Sequence, residues 1–207
     1  MPTTTTTDPI PIRQATPSDI PSLTTIIPCA YNPDAFLNKI FPPESVAIRD
    51  WWTQVYSKAI GLPSYRILVA VSSTANEVIG VLTLHLHRPP EFGEQGGLCT
   101  LVPLTADHHE ALKDALVEQA RDRATLMRQE PNFQVDLLGV DRAFQGRGVG
   151  RRLVQRACEV ADQEGAAVFL QTTKAREWYL GLGMGFVPDK TYEDIAGGVV
   201  VRPAASG

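Results

Sequence analysis

Apolar residues recur along the chain at two different spacings. Short runs rich in branched and aromatic residues predict strands, whereas apolar residues three or four positions apart predict amphipathic helices. The predicted strands are residues 10–14, 66–71, 78–86, 133–140, 167–171, 185–187 and 198–202. The predicted helices are a segment that begins after Thr16 and residues 34–41, 44–59, 105–129, 148–163 and 176–182. Residues 133–171 therefore form a strand, loop, helix, strand unit.

Capping and turn residues mark several of these boundaries. Thr16, Pro17 and Asp19 supply an N-cap, a proline at the first helical position and a capping-box acid, and the proline-containing segment 28–33 is expected to end that helix. The polar residues 72–77 between two β-rich runs predict a hairpin of antiparallel strands. Segment 89–97, rich in proline and glycine, is expected to form a surface loop at the border of a substrate cleft.

Length and composition favour a single globular domain. The chain has 207 residues, of which 43% are hydrophobic and 20% are charged, values that are ordinary for a packed protein. We expect residues 10–203 to form this domain. Residues 1–9, which contain a run of threonines, are expected to be a disordered tail.

Charge and cysteine usage exclude several classes of partner. The formal net charge is −4 and no long Lys/Arg run occurs, so a nucleic-acid partner is not expected. No stretch approaches the ~20 apolar residues of a membrane span, which favours a cytoplasmic protein without a membrane partner. The three cysteines lack the spacing of metal ligands, so we expect free thiols and no metal site.

The strongest candidate for a binding site is a glycine-rich segment between the strand 133–140 and the helix 148–163. The backbone N–H groups at the start of a helix favour an anion, and glycines let the main chain approach a phosphate closely. The lysine ending of a P-loop and the spacing G-x-G-x-x-G are both missing, which argues against an NTPase or a Rossmann dehydrogenase. The segment reads Gln145-Gly146-Arg147-Gly148-Val149-Gly150.

In this position the segment resembles the acetyl-CoA signature Q/R-x-x-G-x-G/A of the GNAT N-acetyltransferase superfamily, particularly its small fungal and bacterial members. Gln145, Gly148 and Gly150 match that signature. The resemblance continues over residues 135–140, 167–169 and 178–179, and loosely covers 12–202. It implies an α/β fold with a mixed, mostly antiparallel central sheet flanked by helices. The fourth and fifth strands, taken as 133–140 and 167–171, would splay apart to admit pantetheine.

The resemblance also implies acetyl-CoA as cosubstrate and assigns its contacts. The main chain of Leu138, Gly139 and Val140 would pair with pantetheine, and a glycine at position 139 is compatible with a strand bulge there. The residues expected at the pyrophosphate are Gln145, Gly146, Arg147, Gly148, Val149, Gly150 and Arg151.

Candidate acid and base residues lie on either side of this loop in the sequence. Tyr179 occupies the position at which family members place the hydroxyl that hydrogen-bonds the cofactor sulfur, so the resemblance implies a general acid; a packed aromatic is the alternative. Some members carry a glutamate base at the position matched by Gln134, so that role does not transfer. Asp136 shares a strand face with Gln134 and either holds the substrate amine, directly or through water, or only anchors backbone.

Two further groups of residues have both a functional and a structural interpretation. His85 and His87 alternate on one strand, and histidine changes its charge near neutral pH, so His85 is a second candidate for the base. The alternative for both histidines is ordinary polar surface. An aromatic group either walls the acceptor site or packs in the core. Its members are Phe41, Trp51, Trp52 and Tyr56.

We therefore expect an enzyme that transfers an acetyl group from acetyl-CoA to a primary amine by direct transfer in a ternary complex. The acceptor would be a small molecule or a peptide, and the protein a monomer or homodimer. Two alternatives stay open, namely an acyl-CoA-binding regulatory module without turnover and an O-acyltransferase. The sequence does not identify the acceptor, because that specificity depends on the shape of loops and helices.

Overall fold

The structure is a computed structural model that describes residues 10–31, 38, 41–42, 44–88, 97–104, 110–127, 130–172, 175–188 and 198–205. Its strands are β1 (Ile12–Gln14), β2 (Tyr65–Val71), β3 (Val78–His87), β4 (Asn132–Val140), β5 (Ala167–Gln171), β6 (Val187–Pro188) and β7 (Val199–Arg202). Its α-helices are α1 (Ile20–Tyr31), α2 (Val46–Ala59), α3 (Glu110–Met127), α4 (Val149–Gln163) and α5 (Arg176–Leu180).

The strands form one sheet in the order β1-β2-β3-β4-β5-β7-β6. Every neighbouring pair is antiparallel except β4 and β5, which are parallel. The parallel ladder joins only residues 132–134 to residues 167–169. Beyond Gln134 the two strands part, and one edge of β4 faces an open groove. The mixed, mostly antiparallel sheet and its splayed fourth and fifth strands are thus confirmed.

Two large apolar cores cover most of both faces of the sheet, and a smaller apolar cluster packs Met127 against β5 and β7. Successive side chains of a strand point to opposite faces, so a strand buried on both sides contributes to both cores. On β2, Ile67 and Val69 pack with α1 and α2, whereas Leu68 and Ala70 pack with α4. Helix α4 lies on its face through Leu153 and other buried residues spaced three or four apart. The sheet is therefore held between helices, with the groove opening beside β4.

The expected boundary signals are present with small differences. The Asp19 carboxylate accepts a hydrogen bond of 2.7 Å from the Thr16 backbone N–H, as a capping box requires, although the first turn is a 3₁₀ helix. Helix α1 ends at Tyr31, within the expected segment, but Pro28 lies inside it. A proline there removes one helical hydrogen bond without ending the helix. The hairpin of β2 and β3 is confirmed.

The bulge expected at Gly139 lies elsewhere on β4. The register between β3 and β4 shifts between Thr83 and Leu84, whose partners are Leu137 and Val135, so Asp136 is the extra residue. Gly139 pairs regularly with β3, and a Cβ on it would lie 2.9 Å from the Cδ1 atom of Ile27. A side chain at 139 would have to displace Ile27, because α1 packs closely against β4.

Parts of three predicted elements lie outside the described residues. They are most of the helix at 34–41, most of the loop at 89–97, and both ends of the helix at 105–129. Over the part of the chain that is described, no helix combines the length and apolar character needed to cross a membrane.

Candidate active site

A single large cavity occupies the groove where β4 and β5 part. It encloses about 1230 Å³, above the usual range of small-molecule pockets. Its walls come from the end of α1, residues 97–99, helix α3, the carboxyl halves of β4 and β5, the loop before α4, and α5. A cavity of this size has room for a cofactor arm and an acceptor together.

The loop before α4 has the geometry of an anion site. Gly148, the N-cap of α4, has φ = 80°, and Gly146 has φ = 73°, so both adopt the left-handed conformation that glycine tolerates. The first helical hydrogen bond runs from the Arg152 N–H to the Gly148 carbonyl, at 3.1 Å. The backbone N–H groups of residues 149–151 therefore have no helical acceptor and can bind an anion.

Most of the residues expected at the pyrophosphate lie together on the cavity wall. Those that line it are Gln145, Gly146, Gly148, Val149, Gly150 and Arg151. Arg147 does not line it, and its guanidinium lies 5.3 Å from the ring centre of Phe144. A Cβ on Gly150 would lie 3.5 Å from the Trp178 ring, an ordinary contact distance, so a small residue fits there.

The open edge of β4 presents polar backbone groups to the same cavity. Leu138 and Val140 line it, whereas Gly139 packs against α1 and does not. The Leu138 N–H donates to the Tyr31 hydroxyl at 3.2 Å, and the Gln145 side-chain amide donates to the Val140 carbonyl at 3.1 Å. These two backbone groups are thus bonded to side chains rather than to β5.

Tyr179 lies on α5 and lines the cavity while being largely buried. Its ring makes edge contacts with Trp178 and Phe186, at centroid distances of 4.8 Å and 5.7 Å. Burial raises the pKa of the Tyr179 hydroxyl, and the nearby Tyr31 adds to that effect. At neutral pH the hydroxyl keeps its proton and is able to donate it.

Asp136 places a carboxylate on the cavity wall at the β4 bulge. Its Oδ1 atom accepts a hydrogen bond of 2.7 Å from the Gln134 side-chain amide, and its Oδ2 atom accepts one of 3.0 Å from the Leu98 backbone N–H. Burial raises the pKa of Asp136 to about 7, against the opposing effect of Leu98, Arg123 and Gln134. This pKa suits a proton acceptor near neutral pH.

Gly97 allows the turn at 98–100 to approach this carboxylate. A Cβ on Gly97 would lie 2.6 Å from the Asp136 Oδ1 atom, closer than real Cβ atoms come to another atom. Any other residue at 97 would displace either the turn or the carboxylate, and so would disturb the hydrogen bond from Leu98.

His85 lies near this site but does not line the cavity. It is fully buried, its ring stacks on Tyr65 at 4.3 Å, and neither ring nitrogen has a hydrogen-bond partner within the described ranges. Burial, followed by the nearby charge of Arg123, lowers the pKa of His85 to about 3. The alternative that His85 and His87 are polar surface residues is wrong, since both are buried.

The aromatic group divides between the two interpretations. Trp51, Trp52 and Tyr56 are buried in the core beside α1 and do not line the cavity, whereas Phe41 is buried and also lines it. Phe41 additionally packs on Trp52 at a centroid distance of 5.1 Å. Three of these four aromatic residues therefore serve only in core packing, and Phe41 is the one that also borders the cavity.

Sequence reasoning did not identify Tyr31 and Leu98 on the cavity wall, nor Arg123 behind it. Gly97 ends the segment that was expected to border the cleft, and it does line the cavity. Tyr31 lies where the sequence predicts a helix to end, and Arg123 lies within a predicted helix. In both cases only the packing of α1 and α3 on the sheet identifies the neighbours. Across the described ranges, no three His, Cys, Asp or Glu side chains group as metal ligands would.

Comparisons with known proteins agree with this geometry. The family model for the acetyltransferase (GNAT) family matches residues 27–186. A comparison with curated proteins gives no match.

Several solved structures share the fold. A structure described as histone acetyltransferase HPA2 and related acetyltransferase from Corynebacterium glutamicum is 21% identical, with a TM-score of 0.62 over 96% of this chain and 98% of its own. A mosquito arylalkylamine N-acetyltransferase like 5b is 18% identical, with a TM-score of 0.61 over 93% and 98%. A chain of the NatC complex bound to Gag peptide and CoA is 17% identical, with a TM-score of 0.52 over 95% and 99%.

Proposed function

We propose that this chain, which belongs to the GNAT acetyltransferase family, transfers an acetyl group from acetyl-CoA to a primary amine in a ternary complex. One observation carries the proposal. The same cavity is lined by the N-terminus of α4, by the open edge of β4, and by the side chains of Asp136 and Tyr179. An anion site, a strand edge, a proton acceptor and a proton donor therefore share one space, within a domain that we take to span residues 10–203.

The residues present fit acetyl-CoA. The N–H groups at the start of α4 would hold the pyrophosphate, and Arg151 on the cavity wall would add positive charge. The Leu138 N–H and the Val140 carbonyl lie on the edge of β4 beside the groove, where the amide groups of pantetheine would replace or share their bonds to Tyr31 and Gln145. Acetyl-CoA supplies an acetyl group activated as a thioester.

Asp136 and Tyr179 would divide the proton transfers between them. The amine nitrogen must lose a proton as the new N–C bond forms, and Asp136 in its ionised form accepts it. The sulfur leaves as the C–S bond breaks, and Tyr179 donates its phenolic proton to it. No covalent intermediate on the enzyme is needed, because the amine attacks the acetyl group directly.

The walls around Asp136 favour an acceptor with an apolar body. Leu98, Leu112 and Leu116 line the cavity together with Phe41 and Tyr31, and all five belong to or pack against one apolar cluster. Such walls gain free energy by covering apolar groups of the acceptor, while Asp136 engages its amine. Small arylalkylamines and amines next to an apolar peptide residue both satisfy this description.

A thiol-release assay with a panel of amines tests the proposal. We expect CoA release that depends on a primary amine, with mass spectrometry finding one N-acetylated product. An acetyl group found on oxygen would support O-acyl transfer instead. Binding of acetyl-CoA without any acceptor-dependent release would support a regulatory module.

A further inference from the structure

A chain of buried polar side chains runs from helix α3 to Asp136. Arg123, on α3, contacts the His87 Nε2 atom and donates a hydrogen bond of 2.7 Å to the Gln134 Oε1 atom. Gln134 in turn donates from Nε2 to the Asp136 Oδ1 atom, also at 2.7 Å. Arg123 is 7% exposed and Gln134 is 1% exposed, so solvent does not replace these contacts.

The guanidinium group of Arg123 determines which atoms donate and which accept hydrogen bonds in this series of contacts. A guanidinium group has donors and no acceptor, so the atoms that it contacts on His87 and Gln134 must accept. His87 is therefore neutral and carries its proton on Nδ1, in agreement with the lowering of its pKa to about 2 by burial, with smaller effects of His85 and Arg123. With its oxygen bound to Arg123, the Gln134 amide presents its NH₂ group to Asp136.

We propose that Gln134, oriented by Arg123, is a positioning residue that keeps the Asp136 carboxylate directed at the acceptor amine. The inference rests on the proposed function, in which Asp136 is the base. One Asp136 oxygen is bound by Gln134 and the other by the Leu98 N–H, so the carboxylate cannot rotate. Both partners donate, which favours the ionised carboxylate that can accept a proton.

Titratable groups surround Asp136 from several elements. Arg123 on α3 supplies a positive charge. The others within electrostatic reach are Tyr31 on α1, Tyr56 on α2, Tyr65 on β2 and Cys99 in the turn at 98–100. Burial raises the pKa of each of these four groups, that of Tyr31 to about 12, so they stay neutral while Asp136 titrates. Glu118 also lines the cavity from α3.

The Gln134→Met variant tests the inference, with Asn132→Leu as its matched control. Asn132 is a buried amide on the same strand whose NH₂ group donates to the Glu130 carbonyl instead of to Asp136. Because Met keeps the length of Gln but donates nothing, the Asp136 pKa should rise by about one unit. ¹³C NMR of the aspartate carboxyl carbons measures this pKa directly, and the Asp136→Asn variant assigns the resonance.

The acid limb of the pH profile of kcat/KM for the amine should move by the same amount in Gln134→Met and stay unchanged in Asn132→Leu. If Gln134→Met fails to fold, Gln134→Glu keeps an acceptor for Arg123 while removing the donor to Asp136, and it should shift the titration in the same direction. An unchanged Asp136 titration in the folded Gln134 variants overturns the inference. Wild-type kcat in Asp136→Asn would instead overturn the proposed base itself.

Discussion

At the scale of single residues, the site depends on groups whose burial changes their ionisation. Asp136 lies on the cavity wall with its carboxylate held by two donors, and its pKa of about 7 is far above the ~3.9 of a free aspartate. Asp19 is the opposite case, since hydrogen bonds from Arg13 lower its pKa to about 2. The two carboxylates should therefore affect stability in opposite ways as the pH changes.

The first prediction concerns Asp136→Asn and the melting temperature. Between about pH 4 and pH 7 the native Asp136 keeps a proton that the unfolded chain has lost, so wild-type stability falls as the pH rises through this window. The variant does not titrate there. Its melting temperature minus that of wild type should therefore increase from pH 4 to pH 8, as measured by calorimetry.

Asp19→Asn provides the comparison of opposite sign. Because its folded pKa lies below the unfolded value, Asp19 stabilises the fold above about pH 4, and this contribution is lost as the pH falls toward 2. The variant should melt below wild type at pH 7 and approach it under acid conditions. The same pH trend in both variants would contradict the burial argument for Asp136.

Tyr179→Phe tests the general acid. Removing one hydroxyl leaves the ring contacts with Trp178 and Phe186 in place, so acetyl-CoA should bind with an unchanged dissociation constant. The loss of a positioned proton donor should lower kcat by about 10²-fold. A loss nearer tenfold would mean that the hydroxyl orients the sulfur without protonating it, and an unchanged kcat would leave Tyr179 as a packed aromatic. Steady-state kinetics with one identified acceptor decides between these outcomes.

At the scale of secondary-structure elements, the loop before α4 and the strand β4 differ in how well the sequence predicts them. The loop depends on local features, namely glycines with positive φ and the start of a helix, and local features can be predicted from sequence. The bulge at Asp136 depends on the register of β4 against β3, and the contact from Arg123 depends on how α3 packs on the sheet. Neither is a local property, so the spacing of residues could not reveal them.

Gly148→Glu tests the role of the α4 N-terminus, with Gly165→Glu as its matched control. Gly148 and Gly165 have φ angles of 80° and 61°, and a Cβ on either would meet nothing within 4 Å, so both substitutions impose similar backbone strain. Gly165 follows the carboxyl end of α4 and does not line the cavity. Only Gly148→Glu places a carboxylate at the anion site.

We expect Gly148→Glu to abolish acetyl-CoA binding by isothermal titration calorimetry, while circular dichroism shows a folded protein. Gly165→Glu should lose some stability and keep its affinity for acetyl-CoA. Equal affinity of both variants and wild type would show that the loop does not bind the pyrophosphate.

At the scale of the whole molecule, the order of the elements could be predicted, but the cavity wall could be predicted only in part. The splayed strands could be located from the glycine-rich loop, because the signature that this loop resembles lies between a fourth strand and the following helix. Tyr31, Leu98 and Arg123 come from distant parts of the sequence, and only the folded sheet with its packed helices brings them beside β4. The cavity wall is therefore a tertiary property.

Ligand-induced stabilisation is the prediction that involves the whole molecule. A ligand that binds only the folded state stabilises it by about 2.7 kcal/mol at one hundred times its dissociation constant. For a chain of this length, that corresponds to a rise in melting temperature of roughly 5–10 °C.

Acetyl-CoA should produce this rise, because it can fill both the anion site at α4 and the open edge of β4. NAD and ATP carry a diphosphate but no pantetheine, so their shifts at equal concentration should be smaller. Gly148→Glu should abolish the shift. Equal shifts from all three ligands would mean that the cavity recognises only a diphosphate.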